Sequence, residues 1–238
     1  MNQFEGFDPT FDFRTDATGS DPDSTSPMLK AYHKLLWSKP LPSGEPFDLD
    51  DTKAGAYLHH QSSRGEFRLS SDSVMQTWSR QEAWSKMQAV IAQIPQQEME
   101  HFLTVAHQIG GKIVFPVESK PTINQARGTN PAIADRFDLT LECIRLHYLG
   151  EASPLADVLM RYKDFFALFE DFKGYTEFFL LQDMVSDDAS AVDFLLPSAG
   201  FDSSALPDSV GAYEDYRRNA IRFVEARNHR MNEYVARV

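Results

Sequence analysis

The hydrophobic rhythm of this chain changes once, near residue 130, and that change limits the folds open to it. Before it, short stretches alternate apolar and polar residues with the period of a strand. After it, apolar residues recur every three or four positions, the period of a helix. The early candidates are "PFDLD" (46–50), "AYLHH" (56–60) and "EFRLSS" (66–71). Turn residues Lys53–Gly55 and Ser62–Gly65 separate them. "KIVFPV" (112–117) is the strongest strand of the chain, and "TIN" (122–124) is placed to pair with it. No strand alternates with a helix in βαβ fashion, so a doubly wound parallel sheet is not expected. The pattern instead predicts an α+β fold, a small antiparallel sheet in the N-terminal half packed by helices, with a mainly helical C-terminal half.

Helix signals fill the rest. Ser26 followed by Pro27 reads as an N-cap with proline at the first helical position, ahead of Leu29, Tyr32, Leu35 and Leu36. A helix is expected from about Val74 to Ile94, stopped by Pro95, and another over 96–108, stopped by the glycines at 110–111. Asn130–Pro131 is expected to open a helix that runs to Tyr148 and closes at Gly150. Ser153–Pro154 is expected to open the next, with Leu155, Leu159, Tyr162, Phe166 and Phe169 on one core-facing side. A last amphipathic helix covers 211–235 and buries Tyr213, Tyr216, Ala220, Phe223/Val224 and Tyr234. Residues 1–26 read as an extended arm laid down by Phe7, Phe11 and Phe13, with a short strand around Thr10–Arg14. Residues 27–238 read as one domain with a long Asp-, Ser- and Pro-rich surface loop at 186–209.

Charge narrows the function. With 23 basic against 35 acidic residues, a net of −12, a surface coated for sequence-independent nucleic-acid binding is not expected. Only a local basic face remains, on the last helix, where six arginines lie between Val210 and the C-terminus. The one cysteine, Cys143, excludes an intramolecular disulfide and a multi-cysteine zinc site, and reads as a core residue. No apolar run reaches the roughly 18–20 residues of a membrane span, and the N-terminus lacks a signal-peptide pattern, so a cytoplasmic protein with no membrane partner is expected.

Chemistry is nominated most clearly by "TINQARGTNPAIADRF" (122–137). If Asn130 caps a helix, the first-turn N–H groups and the positive end of the helix dipole face outward. Arg127 and Gly128 then sit beside them, and Arg136 can reach the same space. Arginine fork plus helix N-terminus is a plausible anion site. The competing reading is that Arg127 pairs with some of the chain's carboxylates and Gly128 only turns the chain. One of His59 and His60, neighbours on a strand and so on opposite faces, is the candidate base. The histidines lack metal-ligand spacing, so neither a metal nor a cofactor is expected. The acidic stretch 12–24, with Asp16, Asp21 and Asp23, lacks the closing glutamate of an EF-hand and reads as a solvated turn. Arg222 and His229 share a helix face in the manner of helical RNases of the HEPN class. The residue after the arginine is Phe223 where that class carries a polar one, and the early strands fit that fold badly.

The segments "YHKLLWSKPLPSG", "AYLHH…GEFRLSSDSV", "INQARG" and "IADRFDLTLECIRLHYLGE" together resemble an uncharacterised bacterial protein family, a domain of unknown function, over most of the chain. The resemblance implies a bacterial, cytoplasmic, single-domain protein and brings no activity or catalytic residue with it. The functional expectation therefore rests on the residues: binding of an anionic small molecule or nucleotide in a cleft built from Arg127, Gly128, Asn130 and Arg136. His59 or His60 would supply a basic group for phosphoester or nucleotide chemistry. The alternative is a non-catalytic protein-interaction module that uses the arginine-rich last helix and the 186–209 loop.

Overall fold

The structure is a computed structural model that describes residues 6–19, 21–53, 55–79, 85–197 and 200–237. Three antiparallel strands form its sheet in the order β1 (Leu58–Ser62), β2 (Gly65–Ser73), β3 (Lys112–Pro116). Leu58 pairs with Leu69 and Ser62 with Gly65 across the hairpin, while Ser73 pairs with Lys112 and Leu69 with Pro116 on the other side. Because β1 begins opposite Leu69, residues 70–73 of β2 have a strand neighbour on one side only. The short helix α1 (Pro22–Thr25) packs against β2.

Local sequence caps four of the described helices. Ser26 accepts a hydrogen bond from the Leu29 N–H at 3.0 Å and starts α2 (Pro27–Trp37), which buries Leu29, Tyr32 and Leu36. Two further helices before β3, α3 (Gln88–Ile91) and α4 (Gln96–Ala106), are followed by the paired glycines. Gly110 is there for space: a Cβ on it would stand 2.6 Å from the Val224 carbonyl oxygen. After β3 come α5 (Ile123–Thr129), α6 (Phe137–Leu149), α7 (Ala156–Arg161), α8 (Lys163–Phe166), α9 (Phe172–Phe178) and α10 (Val210–Val235). Gly150, at φ 72°, takes the left-handed conformation that closes α6. One continuous hydrophobic core runs from Phe13 to Val235. Its densest part is aromatic: Phe169 lies 4.9 Å from Phe178 and 5.2 Å from Phe179, and Tyr175 is 5.0 Å from Phe179. Such pairs each add about 0.5–1.5 kcal/mol beyond the area they bury.

Several expected elements differ, each for a physical reason. Residues 46–50 make isolated bridges (Pro40 with Pro46, Asp50 with His59) rather than a strand. Residues 10–14 turn instead of pairing, although Phe13 is fully buried as expected and its N–H donates to the His107 carbonyl. The chain is irregular from Val74 to Ser79, where a helix was expected, because tertiary partners take its polar groups. The Gln76 N–H donates to the Tyr216 hydroxyl at 3.1 Å, and the Thr77 carbonyl accepts from Tyr213 at 2.9 Å. Residues 80–84 of that expected helix lie outside the described residues. "TIN" is not a strand: Thr122 and Gln125 form a capping box that starts α5. The helix expected from Asn130 begins only at Phe137, since Asn130 ends α5 and its side chain accepts from the Ala132 N–H at 2.9 Å. The Leu155–Phe169 stripe is buried throughout, but the helix carrying it breaks at Tyr162. Tyr234 is half-buried, and Val235 takes the buried place.

Candidate functional site

A cleft of about 360 Å³ opens where β2 ends, within the size range of small-molecule sites. Its charged walls come from four places in the chain: Asp21 and Asp23 at α1, Asp72 at the end of β2, Lys112 at the start of β3, and Asp135 before α6. His107, Gln76, Thr77, Trp78 and Gly128 complete the part that matters here. Two buried cations organise it. Arg127, 1 % exposed, places one Nη 2.6 Å from Asp72 Oδ2 and its Nε 3.2 Å from Asp135 Oδ1. It also donates to the Ser73 and Asp135 carbonyls at 2.8 and 2.9 Å. Lys112 Nζ, also 1 % exposed, lies 2.6 Å from Asp23 Oδ1 and donates to Ser73 Oγ at 3.0 Å.

The two ion pairs set opposite proton affinities. Asp23 is penalised by burial, but it has Lys112 to itself, and that charge holds its carboxyl below the usual range. Asp72 must share Arg127 with Asp135. Burial pushes it up to about 6, and the Asp135 and Asp23 carboxylates add to the rise that Arg127 opposes. Asp135 is raised too, by burial first. One guanidinium facing two carboxylates leaves a proton that can be taken or given near neutral pH. Burial, and then the Lys112 charge, push the His107 pKa down.

The backbone around the cleft is unusual. Trp78, Ala134 and Asp135 all hold positive φ (49°, 47° and 62°) without being glycine. Each such residue costs on the order of 1 kcal/mol, and clusters of them gather at functional sites. Here they are locked together: the Trp78 indole N–H donates to the Ala134 carbonyl at 3.1 Å, and Gln76 donates to the Asp135 carboxylate.

The sequence-nominated residues separate. Arg127 lies behind the cleft wall, inside helix α5, with its guanidinium engaged by the lining carboxylates and by carbonyls, which is the competing reading of that residue. Gly128 lines the cleft, and a Cβ on it would meet nothing within 4 Å, so no close approach requires the glycine. Asn130 is the C-cap of α5 and donates to the Pro154 carbonyl at 3.2 Å, so no helix N-terminus faces outward there. Arg136 is buried elsewhere. It forms a two-point pair with the fully buried Asp138 and donates to the Ala205 and Leu196 carbonyls, which ties the 186–209 loop to α6. His59 and His60 do face opposite ways, but neither lines the cleft. His59 meets Glu66 at 3.2 Å, and His60 packs between Phe47 and Phe67 with its Nδ1 donating to the Asp48 carbonyl. His229 is exposed beside Glu233. Cys143 is buried, its thiol pushed up to about 12 by burial.

The sequence does not nominate Asp72, Asp135 or Lys112, and it offers Asp23 only in an acidic stretch weighed against an EF-hand. Strand alternation puts Asp72 on the face of Glu66 and Arg68, which looks solvated, and Asp23 sits in a stretch that reads as a solvated turn. No spacing links these four positions; only the packing of α1 and α5 over the end of the sheet does.

Among the described residues, no group of three or more His, Cys, Asp or Glu could hold a metal ion, and no helix is long and apolar enough to cross a membrane. A model described as a family of unknown function (DUF6994) matches residues 7–231 of the chain. No curated protein and no solved structure matches it.

Proposed function

We propose, from the premise that the chain belongs to this family of unknown function, that it binds a small polar molecule in the Asp72 cleft and acts on it by proton transfer. The supporting observation is the Asp72–Arg127–Asp135 triad, two carboxylates on one buried arginine in a cleft bounded by strained backbone. Asp72, with its pKa near 6, is the general acid or base, because a group that titrates close to the working pH is present in both forms. Arg127 and Asp135 hold it in place, and Lys112 with Asp23 forms the opposite wall.

The charge pattern chooses the ligand class. Four carboxylates face two cations, and both cations are already paired. An anionic ligand would find no free positive charge there. A neutral or cationic molecule rich in hydroxyl or amino donors meets acceptors instead. The anionic ligand expected at Arg127 is therefore not what this cleft favours.

A thermal-shift screen of amines, polyols, sugars and nucleotides tests the reading, run on the native chain and on Asp72→Asn. A ligand at about 100 times its dissociation constant stabilises by roughly 2.7 kcal/mol, several degrees for a chain of this size. We expect a donor-rich ligand to shift the native protein and to lose most of that shift in Asp72→Asn. A ligand that stabilises both equally would place the site elsewhere.

The interaction-module reading retains one observation. A groove between α4 and α10 is lined by Arg217, Arg218, Arg222, Glu98, Glu214 and Glu225. Its charges are balanced, which favours no acidic partner over a basic one.

A further inference from the structure

A second cavity, of about 520 Å³, shares Asp23 of α1 with the Asp72 cleft. Its walls are α1, Lys30 of α2, residues 55–57 and the part of β2 that β1 does not cover. Adjacent strand residues point to opposite faces. Ser70 and Ser71 nevertheless line one cavity, because the β2 edge is open there and the cavity wraps around it.

What remains unsatisfied in this cavity decides its ligand. Three of its hydroxyls are already used: Ser24 donates to Asp21, Thr25 to the Asp21 carbonyl, and Ser26 to Asp16. Asp23 is paired with Lys112. The Tyr57 hydroxyl lies 3.4 Å from His33 Nδ1. Ser70 Oγ accepts from the Asn124 amide at 3.3 Å, so its own hydrogen is free to donate. Ser71 is 8 % exposed and its Oγ has no hydrogen-bond partner, an uncommon state for a buried hydroxyl. Lys30 Nζ stands 5.6 Å over the Tyr57 ring and makes no close ion pair among the described residues, although its charge is felt by Asp51. The spare donors are thus two hydroxyl hydrogens and an ammonium, and the one carboxylate in the lining, Asp23, has its charge offset by Lys112.

We infer that this cavity binds the oxyanion of a small molecule, a phosphate or a carboxylate, through Lys30, Ser70 and Ser71. An ionised oxyanion only accepts hydrogen bonds, so it complements the donors that this cavity has to spare. The anion recognition that the sequence suggested at Arg127 falls here instead, on residues that no local motif marks. The inference does not rest on the Asp72 cleft, and its test leaves that cleft untouched.

Calorimetric titration of the full chain with inorganic phosphate, glucose 6-phosphate and malonate, with glucose as the neutral control, tests it. At least one of the three anions should bind and glucose should not; phosphate against malonate tells the two oxyanion sources apart. Lys30→Ala and Ser71→Ala should each weaken binding about tenfold or more, as expected for losing a charge-assisted hydrogen bond. Without anion, Ser71→Ala should melt at the native temperature, because its hydroxyl holds nothing in the free protein. Binding of none of the anions, binding unchanged in both variants, or glucose binding as well as the phosphate ester would each overturn the inference.

Discussion

Arg127 serves two carboxylates with one charge, and that imbalance has a signature in pH. Asp72 has a folded pKa of about 6 against an ordinary value of 3.8. The native state therefore holds this proton more tightly than the unfolded chain does. A raised acid of this kind contributes stability that is full below the unfolded pKa and is lost as pH rises through the folded one. Relative to Asp72→Asn, the native protein should lose on the order of 3 kcal/mol of stability between about pH 4 and pH 6, and little more above that. Urea unfolding of both proteins across this range measures it. Parallel stability curves would show that Asp72 ionises as an ordinary surface carboxylate. Asp23 has the opposite sign, because Lys112 is its undivided partner. Nothing in "SDPDS" or "LSSDS" distinguishes the two aspartates; the number of carboxylates each cation must serve does.

Helix α10 shows at the scale of an element how far periodicity reaches. Tyr213, Tyr216, Ala220, Phe223 and Val224 were expected on its inner face and are buried. Arg227, four residues after Phe223 on the same stripe, is buried completely. It donates to the Gly110 and Lys112 carbonyls at 2.8 Å each, to Phe179 at 2.9 Å and to Leu180 at 3.2 Å, with no carboxylate among these acceptors. A charged residue at a core-stripe position was the available signal, but a long arginine at such a place also fits a side chain that reaches out to solvent. By holding the Lys112 carbonyl, Arg227 fixes the start of β3 and with it the Lys112 ammonium in the cleft. Arg227→Ala should cost about 3–5 kcal/mol or abolish folding, since it opens a cavity and leaves several carbonyls unpaired. Arg230→Ala, which breaks only the partly exposed pair with Asp183, should cost under about 1 kcal/mol. Chemical denaturation compares them, and equal effects would remove Arg227 from the architecture.

At the scale of the whole molecule, α10 is core as well as surface. Phe102 meets Tyr213 and Tyr216 edge-on at 6.2 and 6.4 Å, and the Tyr216 ring lies 4.7 Å from Trp78 beside the cleft. A chain truncated after Ser209 should therefore lose its near-ultraviolet circular dichroism and its cooperative melt. A native-like spectrum and melt from that truncation would show that α10 is an appendage. The sequence alone determined the fold class, the antiparallel pairing around 58–71, the Ser26 cap and the buried stripes of 155–169 and of α10. These follow from periodicity and capping, interactions that reach only a few residues. It also singled out Arg127, which pairs with the carboxylates of Asp72 and Asp135, the competing reading of that residue. Tertiary structure alone decided that α5 runs through "ARGT", that Asn130 ends a helix, and that Asp23, Asp72, Lys112 and Asp135 meet. Those contacts join residues up to about a hundred positions apart. Their energies come from desolvation and from sharing a charge, which depend on what surrounds a residue in space and leave no period in the chain.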